Sequence, residues 1–169
     1  AGILKRAPEI TLFLNPLENS YDRLGRSKAP AYVSWSRQNR SQLVRLPAAA
    51  GPRQRMELRS PDPSVNPYLA FAALLMAGLD GIQNRIDPGE PMDKDLYGLP
   101  PEEAKLIKQV PGSLDAVLKA LEDDHEFLLK GDVFTTDMLK TYIAYKRETE
   151  VDPIRMRPHP HEFTLYFDA

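Results

Sequence analysis

Arg55, Glu57 and Arg59 stand two residues apart in the run Arg55-Met56-Glu57-Leu58-Arg59. A strand sends alternate side chains to opposite faces, so these three share one face while Met56 and Leu58 share the other. A carboxylate between two guanidiniums stays ionised and held in place. It could ligate a hard cation while its neighbours grip anionic oxygens. The same pattern also fits an exposed strand whose alternating charges satisfy one another across a sheet.

The surroundings of this triplet enlarge the first possibility. Between Ser20 and Ser60 there are nine basic residues, all but one of them Arg, against two acids, Asp22 and Glu57. That segment carries +7 and leaves −9 for the rest of a chain whose total is −2. Arginine is the residue suited to forked binding of carboxylate and phosphate. Arg40, Arg45, Arg55 and Arg59 fall on or beside successive strand candidates, and like charges gather stably only where an anion offsets them. The candidates are phosphates, a substrate carboxylate or nucleic acid. Nucleic acid is the runner-up, because the remainder is acidic and no RRM, KH or helix-turn-helix signature is present. A magnesium ion would need several oxygen ligands. The basic segment offers one usable carboxylate, Glu57, so further ligands are expected from outside this chain.

The elements that must position these residues can be read from pattern. Ile10 to Leu14, Tyr32 to Trp35, Leu43 to Leu46 and Met56 to Arg59 are strand candidates separated by turn residues. Asn66-Pro67 predicts a helix start, with Asn as N-cap and Pro at the first helical position. The helix that follows, through Ile82, is apolar nearly all round, which places it in a core or under a subunit interface. Pro100-Pro101-Glu102-Glu103 opens a short helix. Ser113 caps one running to about Leu129, and another spans about Thr136 to Arg147. The tail, Arg155 to Ala169, holds Pro158 and Pro160 and then alternates Phe163, Leu165 and Phe167, which reads as extended or irregular. The opening residues read as the last turns of a helix that begins before Ala1. These elements define an α+β fold: short antiparallel strands of a partial barrel, then a mainly helical region.

With 169 residues and 42% hydrophobic content the chain can build one core. It contains no Cys, which removes thiolate nucleophiles, disulfides and cysteine metal sites together. No apolar run reaches the roughly 18 residues of a membrane span. His125, His159 and His161 lack ligand-like spacing and read as structural or interface residues. Tyr97 follows the Pro- and Gly-containing loop Asp87 to Leu96, where an ordinary loop tyrosine and a target for a modifying enzyme are both possible.

Seven strings, in order, resemble type I glutamine synthetase, the bacterial ring-forming type, and cover almost the whole chain. They are Asn19-Ser20-Tyr21-Asp22-Arg23-Leu24, Trp35 through Arg40-Ser41 to Arg45, Met56-Glu57-Leu58-Arg59-Ser60-Pro61-Asp62-Pro63, Asn66-Pro67-Tyr68-Leu69-Ala70, Ala77-Gly78-Leu79-Asp80-Gly81-Ile82, Asp93-Lys94-Asp95-Leu96-Tyr97 and Arg157-Pro158-His159-Pro160-His161-Glu162-Phe163. The resemblance implies an ATP-dependent carbon–nitrogen ligase that makes glutamine from glutamate and ammonia through γ-glutamyl phosphate. It implies Arg23 and Arg59 as glutamate-binding residues, and Arg40 as the arginine touching both nucleotide and glutamate near the transferred phosphoryl group. Arg45 and Arg55 are implied as nucleotide-phosphate residues, and Glu57 as a ligand of Mg2+ or Mn2+. Tyr97 matches the adenylylation tyrosine of regulated members, which would make an adenylyltransferase a partner.

It further implies a cytoplasmic, double-ring dodecamer with no nucleic-acid or membrane partner. On this resemblance the chain is the C-terminal portion of the catalytic domain, with an active-site part (1–63), a helical part (64–150) and a tail (151–169) that reaches the opposite ring. The N-terminal β-grasp domain and most metal-binding carboxylates are then expected outside it, so the piece would be inactive alone. Two departures stand out. The flap loop Gly25-Arg26-Ser27-Lys28-Ala29-Pro30 contains no acid where the family has a glutamate, and Pro52-Arg53 stands where a nucleotide-side lysine is usual. In the box around Tyr97, Arg85 replaces the usual lysine.

Overall fold

The computed structural model describes residues 1–26 and 29–168, so Ser27, Lys28 and Ala169 lie outside the described residues. Twelve regular elements follow in order among the described residues: α1 (Gly2–Lys5), α2 (Ala7–Leu14), β1 (Trp35–Ser36), β2 (Val44–Arg45), β3 (Glu57–Leu58), α3 (Pro67–Gln83), α4 (Pro101–Ala104), α5 (Leu114–Asp123), α6 (Glu126–Leu129), α7 (Thr136–Lys146), α8 (Asp152–Arg155) and α9 (Pro160–Tyr166). The class is mixed α+β. The sheet has the order β1-β2-β3. β1 pairs with β2 in parallel, unlike the all-antiparallel pairing expected, whereas β2 and β3 are antiparallel.

Ile10 to Leu14 is helical, not a strand. Every residue from Ile10 to Leu14 is buried at 2% exposure or less, because α2 is covered on all sides. A helix buried all round shows a continuous apolar run, and five residues of such a run cannot be told from a buried strand by period. Pro8 in the first turn was the available signal. α2 packs between α3 and α5, and Phe13 reaches Phe134 (ring centroids 5.2 Å apart) and Tyr142 (6.0 Å). Its neighbour α5 turns Leu114, Val117, Leu118 and Leu121 inward, the spacing of a single helical face.

α3 begins where Asn66-Pro67 predicts: the Asn66 side chain accepts hydrogen bonds from the backbone N–H of Tyr68 (3.0 Å) and Leu69 (3.5 Å). Ala70, Ala73, Met76 and Ala77 are buried, while Tyr68, Phe71, Leu75 and Ile82 are exposed. The apolar girth thus divides into a core side and an open side. α1 crosses α3 at contact distance: a Cβ on Gly81 would stand 2.6 Å from Gly2 Cα, so only glycine fits at the crossing.

The helix capped by Ser113 ends sooner than expected. Asp124 leaves helical geometry (φ −148°, ψ 102°), and a separate turn, α6, follows. His125 accounts for itself there, its Nδ1 lying 2.9 Å from the Leu121 carbonyl. The tail from Arg155 is not extended throughout: α9 (Pro160–Tyr166) occupies its second half. His159 caps α9, with Pro160 in its first turn and Glu162 reaching back to the His159 N–H (2.9 Å). That is a helix-start signature concealed beneath an alternating aromatic pattern. No helix among the described residues is long and apolar enough to cross a membrane.

Candidate functional site

The sheet is short, but its register aligns charge. Arg45 on β2 stands directly opposite Glu57 on β3. Arg45 Nη1 donates to Glu57 Oε2 at 2.9 Å, and Arg59 Nη1 donates to Glu57 Oε1 at 2.5 Å. The carboxylate therefore lies between two guanidiniums, held from across the sheet and from two residues along its own strand. The bond from Arg59 pulls the Glu57 carboxyl below the ordinary range against the opposing effect of burial, and Arg45 adds to the lowering.

Loop carbonyls complete the hold on both arginines. Arg45 Nε donates to the Gln38 carbonyl (2.8 Å) and Arg59 Nε to the Arg40 carbonyl (2.9 Å). Arg23 joins the same region from the loop after α2. Its Nη2 donates to Asn15 Oδ1 (3.0 Å) and to the Ser60 carbonyl, one residue beyond Arg59. Asp62 is 4.0 Å from Arg23 Nε, at the outer limit of an ion pair. Arg40 is exposed, and among the described residues its guanidinium takes no hydrogen bond. Arg55 is exposed too and reaches only the Arg53 carbonyl, at 3.5 Å.

The structure thus brings Arg23, Arg45, Glu57 and Arg59 together and puts Arg40 on the loop that orients two of them. It does not close the Arg55/Glu57/Arg59 face as a triplet, because Arg55 points clear of the carboxylate that Arg45 takes instead. Cross-strand pairing decides this, and a residue's register partner cannot be read from its own strand. Tyr97 is 44% exposed. Burial raises its phenol above the ordinary value, with the Arg59 charge opposing, so the tyrosine sits within electrostatic reach of the arginine face.

The described residues do not form a metal centre by themselves. Among the described residues no three His, Asp or Glu side chains converge. Glu57 is the carboxylate that Arg45 and Arg59 share, and both its oxygens are engaged by their guanidiniums. A cavity of about 570 Å³ is lined by Tyr21, Asp22, Arg26 and Gln109 among others, and by none of Arg23, Arg45, Glu57 and Arg59. Arg40 and Arg55 are exposed, whereas the Arg45 and Arg59 side chains are mostly covered.

An α+β scaffold that presents clustered arginines and one carboxylate for oxyanions is the class of protein this geometry defines. The family model described as "Glutamine synthetase, catalytic domain" matches residues 1–166. The chain belongs to that family. It is 58% identical to the glutamine synthetase of Frankia alni over 170 residues, 54% to that of Mycobacterium tuberculosis (strain CDC 1551 / Oshkosh) over 171, and 55% to that of Aquifex aeolicus (strain VF5) over 170. Each match covers 99% of this chain and 36% of the relative, so the chain spans just over a third of the curated relatives it matches. A solved chain described as "GmaS/ADP complex-Conformation 1" superposes with a TM-score of 0.84 at 32% identity, over 99% of this chain and 38% of that one.

Proposed function

We propose that this chain supplies the arginine side of a glutamate–ammonia ligase active site. Supporting the reading is one arrangement above all: Glu57 held between Arg45 and Arg59 across adjacent strands, in a chain of this family. In the proposed reaction a γ-carboxylate oxygen of glutamate attacks the γ-phosphorus of ATP and ADP leaves. Ammonia then attacks the acyl carbon of γ-glutamyl phosphate, phosphate leaves, and the ammonium proton passes to a base outside this chain. Negative charge stays on phosphoryl and carboxylate oxygens throughout, so fixed cationic donors are the groups that stabilise it.

In this proposal Arg23 and Arg59 bind glutamate, Arg45 and Arg55 hold nucleotide phosphates, and Arg40 bridges nucleotide and glutamate at the transferred phosphoryl group. Glu57 contributes one ligand to a Mg2+ or Mn2+ ion whose remaining ligands lie outside this chain. Residues 1–63 carry the site, 64–150 support it, and 151–169 form the tail of a larger catalytic domain. The working enzyme is a cytoplasmic double-ring homo-oligomer, and Tyr97 is a candidate for adenylylation by a partner enzyme.

The test uses the intact protein containing this chain. Glutamine should form only when glutamate, ammonia and ATP are all present. Arg59→Ala should raise KM for glutamate at least tenfold, about 1.4 kcal/mol of lost binding, while KM for ATP moves little. Absence of glutamine formation by the wild type would remove the ligase reading, and equal losses for both substrates would remove the role given to Arg59.

A further inference from the structure

Arg45 lies on β2 and Arg59 one residue beyond β3, yet one loop receives a hydrogen bond from both. The Gln38 and Arg40 carbonyls, two residues apart between β1 and β2, receive their Nε–H groups at 2.8 and 2.9 Å. Glu57 holds one nitrogen of each guanidinium, so the direction of the remaining N–H groups depends on how firmly residues 38–40 are held. Those residues have little regular pairing of their own, since β1 ends at Ser36 and β2 starts at Val44.

A second loop, more than fifty residues later, supplies the rigidity. Gln42 is completely buried, and its Nε2 donates to the carbonyls of Met92 (2.6 Å) and Lys94 (2.8 Å). Asn39 Nδ2 donates to the carbonyls of Asp93 (3.1 Å) and Lys94 (2.9 Å). Asn39 Oδ1 accepts from the Ser41 N–H at 3.0 Å, closing the loop on itself. The Leu96 N–H donates to Ser41 Oγ at 3.0 Å. The single hydroxyl proton of Ser41 is shared between Asn39 Oδ1 (3.0 Å) and Gln42 Oε1 (2.9 Å). Both amides thus have partners for their donors and their acceptors, and those partners are mainly backbone groups of residues 92–96. A satisfied network anchored on the buried Gln42 side chain fixes one geometry, and removing Gln42 leaves part-buried carbonyls without their donor.

We propose that Gln42 and Asn39 are positioning residues, which lock the 38–40 loop onto residues 92–96 so that Arg45 and Arg59 are aimed before substrate arrives. Neither amide need touch substrate. Preorganisation of this kind works by sparing the ligand the ordering of two long, rotamer-rich side chains. The identity of the anions gripped rests on the ligase reading above; the lock itself does not.

The experiment uses the intact protein with Gln42→Leu and Asn39→Ala, each alone and each combined with Arg59→Ala. Leu118→Ala, in the helical core away from the arginines, serves as a control for general destabilisation. Gln42→Leu and Asn39→Ala are expected to raise KM for glutamate and for ATP about five- to twentyfold, with kcat changed less than threefold and with no such rise in Leu118→Ala. In the Arg59→Ala background the same two changes should add less than twofold to KM for glutamate, because the residue they position is gone. Fully additive effects in that background, or unchanged KM in both single variants, overturn the proposal. If Gln42→Leu does not fold, Asn39→Ala decides in the same way. Should the wild type make no glutamine, calorimetric binding of tripolyphosphate replaces KM, with the combined variants then built on Arg45→Ala. A weakening that disappears in the Arg45→Ala background keeps the lock while the ligase reading falls, and equal affinities for wild type and single variants overturn the lock.

Discussion

Asp80→Ala tests the ion network that joins five helices, α1, α2, α3, α5 and α6. Asp80 on α3 is 2% exposed. It accepts hydrogen bonds from Arg6 Nε (2.8 Å), Asn84 Nδ2 (2.8 Å) and Lys130 Nζ (3.2 Å). Arg6 sits between α1 and α2, contacts Asp124 beyond α5, and lies over the Phe127 ring at 4.6 Å on α6. Burial alone would push the Asp80 carboxyl up, but the bonds from Arg6 and Lys130 outweigh it and hold it below the ordinary value. Removing one partner of a buried pair typically costs about 3–5 kcal/mol. The lower end applies here, because Arg6 keeps Asp124 and the half-exposed Lys130 can turn to water. A loss of about 3 kcal/mol in a domain of this size corresponds to a fall in Tm of roughly 6–12 °C.

The pH dependence fixes the sign. A carboxyl whose folded pKa is depressed contributes its stability above its unfolded value, about 3.9, and loses it as pH falls through the folded value. The gap between wild type and Asp80→Ala should therefore be constant from pH 5 to 8 and close on acidification below about pH 4. Urea unfolding followed by circular dichroism at each pH measures it, and a cycle with Arg6→Ala isolates the pair. A cost under 1 kcal/mol, a gap that fails to close in acid, or simple additivity in the cycle would refute the reasoning.

Three further outcomes are expected. Gly81→Ala drives a methyl group against Gly2 Cα and should cost about 1–3 kcal/mol in thermal unfolding, whereas Gly78→Ala, which meets nothing within 4 Å, should be neutral or stabilising. Ser113→Ala removes the side chain that accepts from the Ala116 N–H (3.2 Å) and should cost about 1 kcal/mol by urea unfolding. Glu57→Gln in the intact protein keeps the shape but releases Arg45 and Arg59 from a charge, so tripolyphosphate should bind tighter while metal-dependent turnover drops at least tenfold. Weaker polyphosphate binding would contradict the view that the glutamate offsets those two arginines.

How much was legible in the sequence depends on where the determining interaction lies. The start of α3 was readable because Asn66 and Pro67 act on their own first turn. The cap of α5, Ser113, was readable for the same reason. α2 was not, because its burial on every side comes from α3 and α5, which are distant in sequence. α9 was missed because an alternating Phe-Leu-Phe pattern outweighed the His159 cap and Pro160, although those three apolar side chains are all exposed and specify no face. At the site, arginine type and charge imbalance singled out Arg40, Arg45, Arg55 and Arg59, while a role for Arg23 came only with the family resemblance. The pairing of Glu57 with Arg45 was not available, since it follows from the β2–β3 register. Asn15, Asn39 and Gln42 gave no signal at all: a neutral amide becomes informative only once its partners are known.

Those amides and carbonyls explain how a segment of +7 can hold its arginines in order without cancelling them. One acid, Glu57, lies within ion-pair distance of Arg45 and Arg59, and Arg23 has its carboxylate neighbour only at 4.0 Å. The remaining orienting acceptors are uncharged: the carbonyls of Gln38, Arg40 and Ser60 and the amide of Asn15. A carboxylate in any of those places would fix the guanidinium equally well but would neutralise it and compete with an arriving anion. A carbonyl fixes direction and leaves the charge available. Most of the positive field is therefore left uncancelled by neighbouring carboxylates, and under the proposed function it is what an anionic substrate would meet.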